Sequence, residues 1–184
     1  RQCYEAGITV TSLPGACACI TALTLSGLST RRFAFEAFLP PDKKERKAIL
    51  EELKSETRTI ILYEAPHHLV GTLEELYETL GNRRMTLCRE LTKKHETAFC
   101  STIKELLDFY QDQKPLGECV LVIEGKSREE IREEEKTAWE EMSISQHMEV
   151  YEKQGIARKE AMKLVAKDRG VTKRDIYQAL LEIK

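Results

Sequence analysis

No apolar stretch in this sequence approaches the roughly 18–20 residues that a bilayer-crossing helix needs, so no membrane partner is expected. The first residues also lack the basic and apolar regions of a secretory signal. The six cysteines (Cys3, Cys17, Cys19, Cys88, Cys100 and Cys119) include no C-x-x-C pair, which argues against a structural zinc site. Cys17-x-Cys19 alone does not make one. The reading is therefore no metal, buried and reduced thiols, and a reducing cytoplasm. An excess of charge of one sign is missing too. The formal net charge is -2 with 33% charged residues, a balance that neither demands nor forbids a nucleic-acid partner. The opening of the chain lacks the start of a helix. Residues 1–7 read as last turns stopped by Gly7, with a strand expected at 8–11. A fragment of a longer protein is the expectation.

What is present begins with 41% apolar residues in 184, enough for one domain core plus a small appendage and too many for a disordered chain. Runs of β-branched, aromatic and aliphatic residues predict strands at 33–38, 59–63, 85–90, 95–100 and 119–124. Leu69, Leu73, Leu76 and Leu80 fall on one helical face, as do Ile103, Leu106, Leu107 and Tyr110. Thr102 and Glu105 have capping-box spacing at the start of the second helix. Alternating strands and amphipathic helices give an α/β fold, and the short 89–95 connection suits a hairpin, so the sheet is expected to be mixed.

Strand signals stop after residue 126. Residues 127–145 open with the acidic run from Arg128 to Lys136, read as a solvated connecting segment. Residues 146–184 form a small helical tail. Ala157, Ala161, Leu164 and Val165 make an apolar stripe, Arg169-Gly170-Val171 a turn, and Thr172 with Asp175 caps a helix carrying Ile176, Leu180 and Ile183, the plan of a helix-turn-helix unit. Arg158, Lys159, Lys163, Lys167, Arg169, Lys173 and Arg174 crowd there against Glu160 and Asp168. Two readings stand: a solvated helical pair, or an RNA-binding surface with Lys163, Lys167, Lys173 and Arg174 touching the nucleic acid.

Four runs sit where a strand ends, the place at which α/β proteins hold ligands. They are Ser12-Leu-Pro-Gly-Ala-Cys-Ala18, Phe35-Glu-Ala-Phe-Leu-Pro-Pro-Asp42, Tyr63-Glu-Ala-Pro-His-His68 and Arg89-Glu-Leu-Thr-Lys-Lys-His-Glu96; a fifth, Gly117 to Gly125, closes a strand on a glycine. Pro14-Gly15 is either a plain turn or a place where backbone N–H groups meet a ligand carboxylate. Pro66 suits a first helical position, which would put His67 in a first turn as a neutral proton acceptor or as a partner of a local carbonyl. Arg89, Glu90 and Lys93 form a surface ion-pair group or, crowded with Glu64 and His67, bind an anionic substrate.

In this order the five runs resemble the tetrapyrrole-methylase family, and within it the branch that methylates ribose on small-subunit ribosomal RNA. The likeness covers nearly the whole chain. It implies a methyltransferase that uses S-adenosylmethionine, held in a cleft between a parallel-sheet and a mixed-sheet domain. By that likeness, residues 1–30 end the first domain and residues 31–126 are the C-terminal mixed-sheet domain with its flanking helices. Residues 127–145 and 146–184 follow as linker and tail. The resemblance implies cofactor contacts from Pro14, Gly15, Cys17, Ala18, Tyr63, Glu64, Glu124 and Gly125. Glu64, His67 and Lys93 become candidates for proton handling, and Arg89 for anion anchoring. It also implies 2'-O-methylation of a cytidine ribose, a ribosomal subunit or its RNA as partner, and a homodimer. Three departures stand out: Cys17 replaces a frequent serine, Ala37 a usual glycine, and His68 a usual arginine. The rival readings are a methylase of a corrin or porphyrin and a noncatalytic RNA-binding module.

Overall fold

The computed structural model describes residues 1–182, apart from the side chains of Glu135 and Glu182. Ile183, expected on the last apolar stripe, lies outside the described residues. The chain divides into two compact units, Arg1–Gly125 and a second beginning at Lys126. Among the described residues no helix is long and apolar enough to cross a membrane.

The first unit opens with the short helix α1 (Gln2–Glu5), which Gly7 stops with a φ of 67° while Ile8 N–H donates to the Cys3 carbonyl. This is the glycine C-terminus that the sequence announces. The strand expected at 8–11 is absent. Residues 8–17 form no ladder and are exposed, because β-branched residues make a strand only where a neighbouring strand pairs with them. Then follow α2 (Ala18–Leu25), β1 (Phe33–Phe38), α3 (Lys43–Leu53), β2 (Thr59–Glu64), α4 (Leu69–Leu80), β3 (Arg84–Arg89), β4 (Thr97–Thr102), α5 (Ile103–Tyr110) and β5 (Cys119–Ile123).

The strands form one mixed sheet in the order β1-β2-β5-β3-β4. β1 and β2 are parallel, and the other pairs are antiparallel, with β3 and β4 forming the hairpin that the short 89–95 connection predicts. Period-two alternation sorts β2 onto two faces. Ile60 and Leu62 join the larger core with Leu69, Leu73 and Leu76 of α4 and Ile103 and Leu106 of α5. Ile61 joins Cys19, Ala22 and Leu23 of α2 on the other face. Burial on both sides explains why β2 and β5 read as continuous apolar runs. The capping box of Thr102 and Glu105 is formed.

The second unit comprises α6 (Arg128–Glu141), α7 (Ile144–Lys153), α8 (Arg158–Asp168) and α9 (Lys173–Glu182). The acidic run read as a connecting segment is helical in α6, whose start is fixed by a capping box between Ser127 and Glu130, a spacing that the charge run obscured. Met148, Ala161, Val165, Ala166 and Ile176 form the core that joins α7, α8 and α9. Ala157, expected on the stripe, is the exposed residue before α8, and Ala166 takes its place inside. Thr172 and Asp175 bond reciprocally at the start of α9, as their spacing predicts.

Candidate functional site

One end of the sheet gathers the C-terminal ends of β2 and β3 and the N-terminal end of β5. There Glu64 pairs in register with Cys119, and Cys119 with Arg89. Alternation points these three toward α4 and α5, whereas Tyr63 faces α2. Adjacent in sequence, Tyr63 and Glu64 therefore serve opposite faces of the sheet.

On the α4 side Glu64 is buried. Its carboxylate accepts from the Thr72 hydroxyl at 2.5 Å and from Ala65 N–H at 2.8 Å, with the Arg46 guanidinium at 4.0 Å. Arg46 in turn donates to Thr72 Oγ1 and to Glu75. Nothing in the sequence pattern of α3 singled out Arg46. Arg89 donates to the Tyr110 hydroxyl at 3.1 Å and to Thr97 Oγ1 at 3.3 Å. Among the described residues no carboxylate forms an ion pair with it, so its charge is held in place without being neutralised.

Lys93 is placed otherwise. Its amino group lies 2.9 Å from Glu118 and 3.2 Å from Glu90. Glu118 first and Glu90 second push its pKa up, so it is a cation at neutral pH. Glu90 is tied back by Glu118 N–H, the first cause of its lowered pKa, ahead of Lys93. A Cβ on Gly117 would meet the Glu90 side chain at 2.5 Å, so this glycine is what admits Glu90.

His67 lies in the turn before α4, which begins at Leu69 with His68 as its N-cap. The helix starts later than Pro66 suggests, because Leu69 N–H closes a tight turn onto the Pro66 carbonyl. His67 is exposed, its ring centroid 4.2 Å from that of His68.

On the other face, the loop of Pro14, Gly15, Cys17 and Ala18 leads into α2. Cys19 N–H donates to the Tyr63 hydroxyl at 3.1 Å, and burial raises the Tyr63 pKa. Among the described residues the N–H groups of Gly15, Ala16, Cys17 and Ala18 have no protein acceptor, and a Cβ on Gly15 would meet nothing within 4 Å. Phe35 and Phe38 stand 5.0 and 5.6 Å from the Tyr63 ring, edge-on. Both lie in the Phe35 to Asp42 run named in the sequence, which assigned neither a role of its own. Three residues apart, they belong on opposite faces of a regular strand, but β1 slips register between Phe35 and Ala37, so both align with α2-facing residues of β2.

Glu124 and Gly125 are not part of this cluster. β5 runs antiparallel to β2, with Ile123 opposite Ile60, so they lie at the far end of the sheet, roughly 15 Å away at about 3.3 Å per residue. There Gly125 allows close packing, since a Cβ would come within 2.4 Å of the Thr57 backbone.

The thiols are only partly as expected: Cys19, Cys88 and Cys119 are buried, but Cys3, Cys17 and Cys100 are exposed. In the second unit Lys163, Lys167 and Arg174 are exposed and Lys173 half-buried. Lys163 pairs with Glu160 at 2.9 Å, and Lys163 first, then Lys173 and Lys159, lower the pKa of that carboxylate. Arg169 faces inward, donating to His147 Nδ1 and to the Met142 carbonyl.

Residues 2–107 match the family described as Tetrapyrrole (Corrin/Porphyrin) Methylases. The ribosomal RNA small subunit methyltransferase I of Halalkalibacterium halodurans is 46% identical over 171 residues, 93% of this chain and 58% of that protein. Its counterpart of the same name in Bacillus subtilis is 45% identical over 175 residues, 95% of this chain and 60% of that protein. This chain thus spans about three fifths of the length of these relatives. Among solved structures, the methyltransferase CobJ aligns with a TM-score of 0.50 at 17% identity, covering 66% of this chain and 53% of that one, a likeness of fold.

Proposed function

Because this chain belongs to the tetrapyrrole (corrin/porphyrin) methylase family, we propose that it is the mixed-sheet and tail portion of an S-adenosylmethionine-dependent methyltransferase acting on small-subunit ribosomal RNA. The observation that carries the reading is the 45–46% identity, over nearly the whole chain, to relatives named for that substrate. In this reading the enzyme works in the cytoplasm as a homodimer, and the acceptor is the ribose 2'-hydroxyl of a cytidine.

The residues present suit the cofactor. The acceptor-free N–H groups from Gly15 to Ala18 match a carboxylate, and Phe35, Phe38 and Tyr63 offer aromatic surface to a flat base. When bound, S-adenosylmethionine supplies an electrophilic methyl group on a sulfonium. The Pro14–Ala18 loop and Tyr63 form one wall of its site. Arg89, charged and free of carboxylates, anchors a phosphate. Lys93, paired with Glu90 and Glu118, fixes the loop after β3 beside Arg89. Glu64, tied to Thr72 and Arg46, fixes the end of β2 and orders the turn that carries His67. The exposed imidazole of His67 takes the hydroxyl proton, a role worth roughly 10²–10⁴ in rate for a positioned base. Lys163, Lys167, Lys173 and Arg174 hold the RNA backbone.

The test is a choice of acceptors. The protein in its full natural length is incubated with methyl-labelled S-adenosylmethionine and either small ribosomal subunits or a porphyrinoid. Label in ribosomal RNA alone is expected; label in the macrocycle alone supports the small-molecule reading, and label in neither, with RNA retained on the protein, supports a binding module.

A further inference from the structure

We propose that Cys17 and Cys19 are a modification site, a dithiol that a hydroperoxide oxidises to an intrachain disulfide at the entrance to α2. The two sulfurs lie 3.3 Å apart, and a disulfide needs about 2.0 Å, so a side-chain rotation moving sulfur on the order of 1 Å closes the bond. Cys17 is exposed and Cys19 buried. Cys17 lies outside the helix in extended conformation, with φ -137° and ψ 107°, so helical geometry does not fix its side chain. Cys19 is held still, its N–H bonded to the Tyr63 hydroxyl.

The two thiols are chemically unequal. The hydrogen bond from Cys19 is the first cause that lowers the Cys17 pKa, with the Ile20 N–H next, while burial first and Cys17 second raise that of Cys19. Cys17, exposed and the more readily ionised of the two, is therefore the attacking sulfur and Cys19 the partner that attacks second. Cys17 sulfur attacks the outer peroxide oxygen, the O–O bond breaks, and an alcohol or water leaves with one proton, giving a sulfenic acid. Cys19 sulfur then attacks that sulfur, its proton leaving with the hydroxyl as water. Two thiols lose two electrons and the peroxide gains them.

The remaining cysteines are poorly placed to compete. Burial pushes the Cys88 and Cys119 thiols up to about 11. Cys3 and Cys100 are exposed, and among the described residues neither has a second sulfur within hydrogen-bond distance. Closing the disulfide stiffens the loop that the proposed function gives to the cofactor, but the thiol chemistry is independent of that reading.

The experiment uses the full chain carrying Cys3→Ser, so that the tryptic peptide between Arg1 and Arg31 holds only the two cysteines. The protein is treated with one equivalent of hydrogen peroxide, its free thiols are alkylated, and the peptide is weighed. The expected product is lighter than the reduced peptide by two hydrogens, carries no alkyl group, and takes two after dithiothreitol. With Cys17→Ser added, Cys19 should instead be alkylated; with Cys19→Ala, Cys17 should accumulate as sulfenic or sulfinic acid. The proposal is overturned if the Cys3→Ser peptide carries two alkyl groups, an oxidised Cys17 beside an alkylated Cys19, or a link to another chain.

Discussion

Ala37, next to last in β1, has a φ of 54°, in the left-handed region that costs an L-residue roughly 1–2 kcal/mol. The strain has a structural return. At this position β1 slips register against β2, which swings Phe38 onto the side of Phe35 and Tyr63 and builds the aromatic wall. A positive φ is the conformation that glycine adopts at least cost, which fits the glycine expected here from the family resemblance. Ala37→Gly should raise stability by about 1 kcal/mol or less, the relief at φ being offset partly by the greater freedom of glycine in the unfolded chain. The measurement is the urea midpoint of the first unit. A lower midpoint would show that the alanine conformation is not strained.

At the scale of elements, the joint between α7 and α8 rests on a buried histidine. His147 stacks on Trp139 with centroids 4.0 Å apart, accepts at Nδ1 from Arg169 Nε, and places Nε2 3.4 Å from Asp168, whose carboxylate accepts from the Tyr151 hydroxyl. Burial first and Arg169 second lower its pKa, outweighing Asp168. A base with a depressed folded pKa contributes stability that is complete above the unfolded value of about 6.5 and is lost as pH falls through the folded one. The thermal midpoint of the second unit, followed by fluorescence of Trp139, the single tryptophan, should fall between about pH 7.5 and pH 5, the window that brackets the imidazole. Glu160 and Asp175, lowered from 4.5 and 3.8, act only below that window. A His147→Gln protein should lose the pH dependence; a flat profile for the unsubstituted chain would contradict this role of the histidine.

Elements were legible in the sequence where the signal was local. Thr102 with Glu105 and Thr172 with Asp175 named helix starts, and the Leu69 to Leu80 spacing named a helix face, because caps and 3.6-residue periods are properties of a few neighbouring residues. Other features depended on what lay across the fold. The bulge at Ala37 is set by the partner strand, the distance of Gly125 from Tyr63 by the antiparallel direction of β5, and the burial of Glu64 by Arg46 from another helix. Residues 8–11 show the reverse: strand-forming residues without a partner strand.

At the scale of the whole molecule, the recognition surface is a claim about charge. Arg169 is spent on His147 and Met142, so in the proposed reading the phosphate contacts fall to Lys163, Lys167, Lys173 and Arg174. Replacing Lys163, Lys167, Lys173 and Arg174 by glutamine should weaken ribosomal RNA binding across sequences. The salt slope should fall in magnitude by roughly 0.7–0.9 for each phosphate no longer neutralised, with cofactor affinity unchanged. Identical slopes would make the surface an ordinary solvated face. The most direct measurement of the central claim is the position of the transferred methyl group. Small-subunit ribosomal RNA labelled by the full-length protein is hydrolysed in alkali, which needs a free 2'-hydroxyl to cleave the chain. Transfer to ribose predicts label in an alkali-resistant dinucleotide; label released with mononucleotides would place the methyl group on a base and contradict it.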